Sequence, residues 1–287
     1  MIATHAPRSA QGAAGRDATA PPETLRRDLA SRHLLPVGPE WQELHGGRVN
    51  RCWRVGGLVV KLFDPAGHSP LFPNDPAAEA LMLRHLAGMD LAPTFRAAGD
   101  GWIAYDHVEG SIWREGADPA PVAAALSRLW DCAAPEGVRC LASGSAALCD
   151  QIASLSDKGE RPAGPCAEVP PVRPRLIHGD AVPGNIISGP SGVRLIDWQC
   201  PAIGDPTDDV SAFLSPAMRW IYGGTAPEPD LERQFLACIP QDIAGRYQSL
   251  KPLFHLRMMR HCRWRLRQGH ADYGPALDLE RAALQNC

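Results

Sequence analysis

The sequence predicts an α+β fold in two parts, and three observations carry that prediction. Before residue 108 the chain is rich in short β-type runs separated by turn residues. After Gly110 its character changes to alanine-rich segments of helical period. Within the second part lies one stretch, Leu176 to Asp209 (LIHGDAVPGNIISGPSGVRLIDWQCPAIGDPTDD), in which runs of strand length end in polar residues that a core would otherwise exclude.

The elements follow in order. The first twenty residues, MIATHAPRSAQGAAGRDATA, contain no continuous apolar run and read as a disordered tail over 1–20, not as a secretory signal. Thr24 can cap a helix reaching Leu35, with Leu25, Leu29 and Leu34 on one face and Pro36 as its stop. Strands are expected around Glu43–Gly47, at Arg51–Val55 and at Leu58–Phe63, the last two joined by a Gly56-Gly57 turn. Pro76 opens a helix to Leu86. Thr94–Ala98 and Trp102–His107 flank the turn Gly99-Asp100-Gly101. Helices are then expected at Pro119–Cys132 and Ala146–Leu155, and a Pro/Gly-rich connection runs from Ser156 to Arg175. Arg175–Ile177 and Val193–Ile196 read as adjacent buried strands, with a hairpin-like turn at Ser188–Gly192. Helices follow at Asp209–Phe213, Asp230–Ile239, Ile243–Arg267 (broken near Pro252) and Pro275–Gln285.

Composition excludes several classes. A chain of 287 residues can bury a sizeable core. The net charge of −3 leaves no electrostatic footprint for nucleic acid. Nine scattered cysteines without a C-x-x-C point away from a disulfide framework or zinc ribbon and toward a reducing cytosol. No apolar stretch is long enough to span a bilayer. There is no G-x-x-x-x-G-K-[ST] and no G-x-S-x-G, which disfavours a Walker-type NTPase and a serine hydrolase despite His45-Gly46-Gly47.

The organising stretch brings two carboxylates, Asp180 and Asp197, and one carboxamide, Asn185, to strand ends. That trio suits phosphoryl transfer: a carboxylate orients the attacking hydroxyl and takes its proton, while an amide oxygen and a second carboxylate hold a hard cation such as Mg²⁺. Upstream, Lys61 sits in an otherwise apolar strand, where an unpaired ammonium would be costly, so a partner must neutralise it. Gly46 and Gly47 would let the backbone approach a phosphate closely.

His178-Gly179-Asp180, Asn185, Ile196-Asp197, Gly204-Asp205-Pro206 and Asp209 together resemble the catalytic core of the aminoglycoside phosphotransferase and choline kinase group, small-molecule relatives of protein kinases. The resemblance implies a two-lobed protein-kinase-like fold: a small antiparallel sheet with one helix over 21–108, and a larger, mostly helical lobe over 109–287. It implies ATP and Mg²⁺ as cofactors, Asp180 as catalytic base, and Asn185 and Asp197 as metal ligands. Lys61 would meet the α/β-phosphates and Glu79, Gly46 and Gly47 would cover the phosphates, and Asp106-His107-Val108 would be the hinge that meets adenine through its backbone. Asp205 and Asp209 would brace the catalytic loop.

The acceptor is less defined. A polycationic aminoglycoside would need carboxylates, for which Glu228, Asp230, Glu232 and Asp242 are available. A choline-like cation would need an aromatic cage, for which Trp198, Trp220, Tyr222, Tyr247 and Trp264 are available. Arg257, Arg260, Arg263, Arg265 and Arg267 line a helix whose buried stripe is Phe254, Met258, Cys262 and Leu266. Such arginines are usually solvated or ion-paired; one or two facing the cleft would favour a neutral or anionic acceptor. The expectation is therefore a cytoplasmic kinase acting on a small hydroxylated metabolite, with no nucleic-acid or membrane partner. Aminoglycoside resistance is the runner-up. A protein kinase is disfavoured because no arginine precedes Asp180, and an inactive nucleotide-binding regulator because the trio is intact. Asp272-Tyr273-Gly274 mimics the metal tripeptide of protein kinases but reads as a loop.

Overall fold

A computed structural model describes residues 20–45, 47–155, 168–223, 228 and 230–287. The expected tail, Gly46 and most of the Pro/Gly-rich connection lie outside the described residues.

The N-terminal part is a five-stranded antiparallel sheet in the order β1 (Trp41–Leu44), β2 (Arg51–Val55), β3 (Leu58–Leu62), β5 (Trp102–Asp106), β4 (Phe95–Gly99). Gly56, at φ 58°, adopts the left-handed conformation that lets Val55 pair directly with Leu58 across a two-residue turn. Because successive side chains alternate faces, the sheet serves two cores. Trp53, Val55, Val60, Trp102 and Ala104 pack on Leu25 and Leu29 of α1 (Glu23–Ser31). Val59, Ile103 and Tyr105 face the other way, into the cluster containing Ala80 and Leu83 of α2 (Pro76–His85). Lys61 shares the Val59 face. The Asp75 carboxylate accepts from the Ala77 and Ala78 N–H groups, so α2 starts where Pro76 predicts.

Helix α1 departs from expectation. Thr24 lies inside it, and the helix stops at Ser31, not at Pro36. His33 turns to φ 57° and the Leu34 N–H returns to the Leu29 carbonyl, a six-to-one closure that ends the helix.

The C-terminal part holds two small sheets among helices. β6 (Ser111–Ile112), β8 (Ile186–Gly189) and β9 (Gly192–Leu195) form one; β7 (Arg175–Ile177) and β10 (Ala202–Gly204) form the other. This corrects the expected pairing of Arg175–Ile177 with Val193–Ile196. The hairpin turn is present, but it joins β8 to β9, while β7 pairs with β10. β8 and β10 are only four and three residues long, so their apolar signal is too brief to compete in the sequence.

The helices are α3 (Ala120–Trp130), α4 (Ser145–Ser154), α5 (Thr207–Leu214), α6 (Pro216–Gly223), α7 (Leu231–Leu236), α8 (Gln241–Arg267) and α9 (Tyr273–Gln285). Two differ in substance from the sequence reading. α6 was not anticipated. α8 runs unbroken through Pro252, which is exposed, so its ring meets solvent while the helix is held by packing on its other faces. Asp272-Tyr273-Gly274 is not wholly a loop: Tyr273 and Gly274 open α9.

Candidate active site

The site begins with the buried lysine. Lys61, 2% exposed, donates to Glu79 Oε2 at 2.6 Å, to Gln199 Oε1 at 3.2 Å and to Asp197. An ammonium has three donors, and here each has an oxygen. Burial works against the Lys61 charge, but Asp197 and Glu79 outweigh it and hold the amine protonated well above its ordinary range. Glu79 is fully buried on α2, and burial pushes its carboxyl upward against the pull of Lys61.

Asp197 follows β9 at φ 65°, a left-handed conformation uncommon outside glycine that aims the carboxylate back toward β3. Two residues on, Gln199 accepts from both Lys61 and Asn50 Nδ2, the latter at 2.8 Å. Asn50 Oδ1 in turn accepts from the Asp64 N–H and from Asn74 Nδ2. This amide chain stitches the turn before β2 and the segment after β3 to the residues after β9. Sequence reasoning missed Asn50, Asn74 and Gln199; the one available signal was a glutamine two residues beyond the I-D pair.

The loop after β7 supplies the second half. Gly179, at φ 77°, passes so close to the Cys200 carbonyl that a Cβ would lie 2.1 Å from its oxygen. Asp209 organises this turn by accepting from the His178 N–H (3.0 Å), the Gly179 N–H (2.9 Å) and Trp130 Nε1 (3.0 Å). Burial raises its carboxyl to about 6, while those three donors pull the other way. Asp205 accepts from the Thr207 N–H at the start of α5 and pairs with Arg246 at 2.7 Å. His178 is fully buried. Its Nδ1 accepts from the Asp180 N–H at 3.3 Å, which leaves Nε2 to donate to the Ile196 carbonyl at 3.0 Å. Burial lowers this imidazole to about 4, so it is neutral at pH 7 and ties the Asp180 loop to the end of β9.

Asp180 is 8% exposed and takes the Asn185 Nδ2 donor at 3.1 Å. Burial first, and the nearby Asp197 charge second, raise it to about 8. The Asn185 amide nitrogen also reaches the Asp180 carbonyl at 2.9 Å. With its nitrogen committed twice, the amide leaves its oxygen as the free acceptor.

These groups line one cavity. Asp180, Asn185, Asp197 and Lys61 line it together with Gly47, His107 and Val108. Asp106 and Glu79 do not. The Asp106 carboxylate is held by Arg96, and its N–H is used by the Thr94 carbonyl; Glu79 stands behind Lys61. The far side of the cavity is walled by Phe72, Met218, Tyr222, His261, Arg265 and Tyr273. Tyr222 packs on the catalytic loop so tightly that a Cβ on Gly184 would sit 2.2 Å from its ring. Glu228, Asp230, Glu232 and Asp242 do not line the cavity, and Glu232 is taken by Lys251. Of the five aromatic candidates, Tyr222 alone lines it; Trp198 and Tyr247 are core. Arg257 is likewise withdrawn, paired with Asp208 at 2.7 Å.

A five-stranded lobe with a buried lysine–glutamate pair, set over a helical lobe carrying H-G-D, Asn and I-D, is a protein-kinase-like fold. The phosphotransferase enzyme family matches residues 145–246, from the start of α4 through both motif strands into α8. No curated protein matches the chain. Among solved structures, the chain is similar to a choline/ethanolamine kinase family protein from Mesorhizobium loti (TM-score 0.66, 17% identity, 92% of this chain and 93% of that one). It is also similar to choline kinase LicA from Streptococcus pneumoniae (TM-score 0.64, 18% identity, 92% and 99%), and to APH(2″)-IIia in its complex with GDP and kanamycin (TM-score 0.61, 18% identity, 91% and 98%). At these identities the likeness is one of fold, and it agrees with the resemblance carried by the motif.

Proposed function

We propose that this protein is an ATP-dependent kinase that transfers the γ-phosphoryl group to a hydroxyl of a small metabolite. One observation carries the reading: Lys61, held between Glu79 and Asp197, points into the same cavity as Asp180 and Asn185. No structural role needs a lysine, two carboxylates and an amide to converge where water can reach them.

The donor set fits Mg²⁺. Asp197 and the free oxygen of Asn185 are hard ligands, and among the described residues no group of three His, Cys, Asp or Glu side chains offers a softer site. A pair of protein oxygens completed by phosphates and water is how Mg²⁺ is commonly held. Bound there, the ion would neutralise charge on the β- and γ-phosphates. Lys61, held by Glu79, would meet the α/β-phosphates. Gly47 would cover the phosphates by its backbone. Val108 and its neighbours meet the adenine, and the Asp106 side chain, held by Arg96, takes no part. Asp180 orients the acceptor hydroxyl and receives its proton, a role suited to a carboxyl whose proton affinity is raised by burial. Residues 21–108 form the nucleotide-binding lobe and 109–287 the catalytic and acceptor-binding lobe.

Eight described cysteines are free, and no described helix is long and apolar enough to cross a membrane; both fit the cytosol. The test is calorimetric titration of the full chain with ATP, with and without Mg²⁺. Tight binding that requires Mg²⁺ and weakens in Asp197→Asn supports the reading. Absence of nucleotide binding overturns it.

A further inference from the structure

The cavity that Lys61 lines also holds a cation without a counter-charge among the described residues. Arg265, on the last turns of α8, is only 9% exposed, and its Nε is buried with no hydrogen-bond partner. Among the described residues no carboxylate pairs with it. Its neighbours are rings: its guanidinium carbon lies 5.4 Å from the Tyr273 ring centre and 5.8 Å from that of Trp264. Its other polar neighbour, His261, is 3% exposed with Nδ1 unpartnered, and so brings no negative charge. A second guanidinium, Arg48, stacks at 5.2 Å on the same Tyr273 ring, but Asp272 neutralises it. Both arginines line the cavity.

A buried guanidinium without a partner is costly unless a ligand completes it. Its planar fork matches a carboxylate or a phosphate in bidentate geometry. Shared lining ties it to the acceptor: Tyr222 packs on Gly184, between Asp180 and Asn185, and Tyr222, Tyr273 and Arg265 line the same cavity as Asp180. Among the described residues no carboxylate other than Asp180 and Asp197 lines this cavity, which leaves a polycation no carboxylate beyond those assigned to the proton transfer and the metal.

We propose that Arg265 is the acceptor-binding residue that recognises an anionic group, and that the acceptor is a hydroxylated compound bearing a carboxylate or phosphate, its carbon frame resting on Tyr222 and Tyr273. The proposal rests on the kinase reading and deepens it. Charge-assisted hydrogen bonds of this kind correspond to roughly 10- to 100-fold in affinity.

The experiment uses the full chain with MgATP and follows ADP release with matched acceptors: glycerol and glycerate; glucose, glucuronate and glucose 6-phosphate; choline; kanamycin. The expected result is turnover with anionic members, the glucuronate and glucose 6-phosphate arms separating carboxylate from phosphate. Arg265→Gln should raise the KM of the preferred anion about 10- to 100-fold, with the KM for MgATP within about twofold and Arg265→Lys recovering part of the loss. Arg265→Leu, checked for an unchanged melting transition, should behave as Arg265→Gln. Preference for choline, kanamycin or the neutral partners, no turnover of any anionic member, or an acceptor KM indifferent to Arg265→Gln overturns the proposal. MgATP binding, measured separately by calorimetry, reports on the kinase reading: if it persists while the anion preference fails, only the acceptor assignment falls.

Discussion

The two walls of the cleft are built on opposite terms. On the nucleotide wall every charged group has a partner within the protein: Lys61 with Glu79, Asp197 and Gln199, and Asp180 with Asn185. On the wall proposed to meet the acceptor, aromatic rings flank one guanidinium, Arg265, with no carboxylate partner among the described residues. The first wall stores its polar groups in a network that a metal–nucleotide complex can rearrange. The second leaves a valence open. On the proposed function, the difference places nucleotide chemistry in the network and selectivity for the acceptor in what the network omits.

That contrast can be broken, beginning with the largest effect. Asp197→Asn removes a charge from both the lysine and the metal. A unit-charge contact at ~4 Å and an effective dielectric near 20 is worth about 4 kcal/mol, so kcat/KM for MgATP should fall on the order of 10³-fold, measured by steady-state kinetics. Asp209→Ala leaves the His178, Gly179 and Trp130 donors without an acceptor. Urea unfolding should register a loss of about 3 kcal/mol, a kcal/mol or so per orphaned donor. A loss below about 1 kcal/mol would mean that water replaces the carboxylate and that the loop is not braced as described.

Gly184→Ala sharpens the contrast, because its Cβ would push Tyr222 off the catalytic loop. Acceptor KM should rise by roughly tenfold, about 1.4 kcal/mol, with the KM for MgATP little changed; equal effects on both would merge the two walls into one. The remaining effect is a pH dependence. Burial lowers His261 to about 3 from an ordinary 6.5, so between those values the unfolded chain binds a proton that the folded chain does not. Stability from this residue is therefore complete above about pH 6.5 and is lost as pH falls toward 3, by up to about 1.4 kcal/mol per pH unit. The melting temperature of wild type relative to His261→Phe should drop as pH goes from 7 to 5. A difference independent of pH would show that His261 protonates freely in the native state.

The same contrast explains what could be read from the chain. Asp180, Asn185 and Asp197 lie within one short stretch at fixed spacing, and a lysine in an apolar strand announces itself, so the nucleotide wall was legible before any coordinates. The acceptor wall draws Phe72 from the segment after β3, Tyr222 from α6, His261 and Arg265 from α8 and Tyr273 from α9. No spacing rule links those positions; only the packing of α6, α8 and α9 does. Arg265 could be named as one of five arginines, yet Arg257, two turns earlier, is neutralised by Asp208. Periodicity alone cannot tell the two apart. The strand pairing of β7 failed for a similar reason: its partner β10 is only three residues long, too short to register as a strand. Continuity of α8 through Pro252 reflects tertiary packing overriding a local helix breaker.

The central claim of the proposed function is that Asp180 takes a proton from a bound hydroxyl while Lys61 and Asp197 serve the nucleotide. Turnover and MgADP affinity of Asp180→Asn, measured on one preparation beside wild type, test it most directly. The account predicts turnover lower by roughly 10²–10⁴-fold with MgADP affinity unchanged within a few-fold. Near-normal turnover in that variant would contradict it.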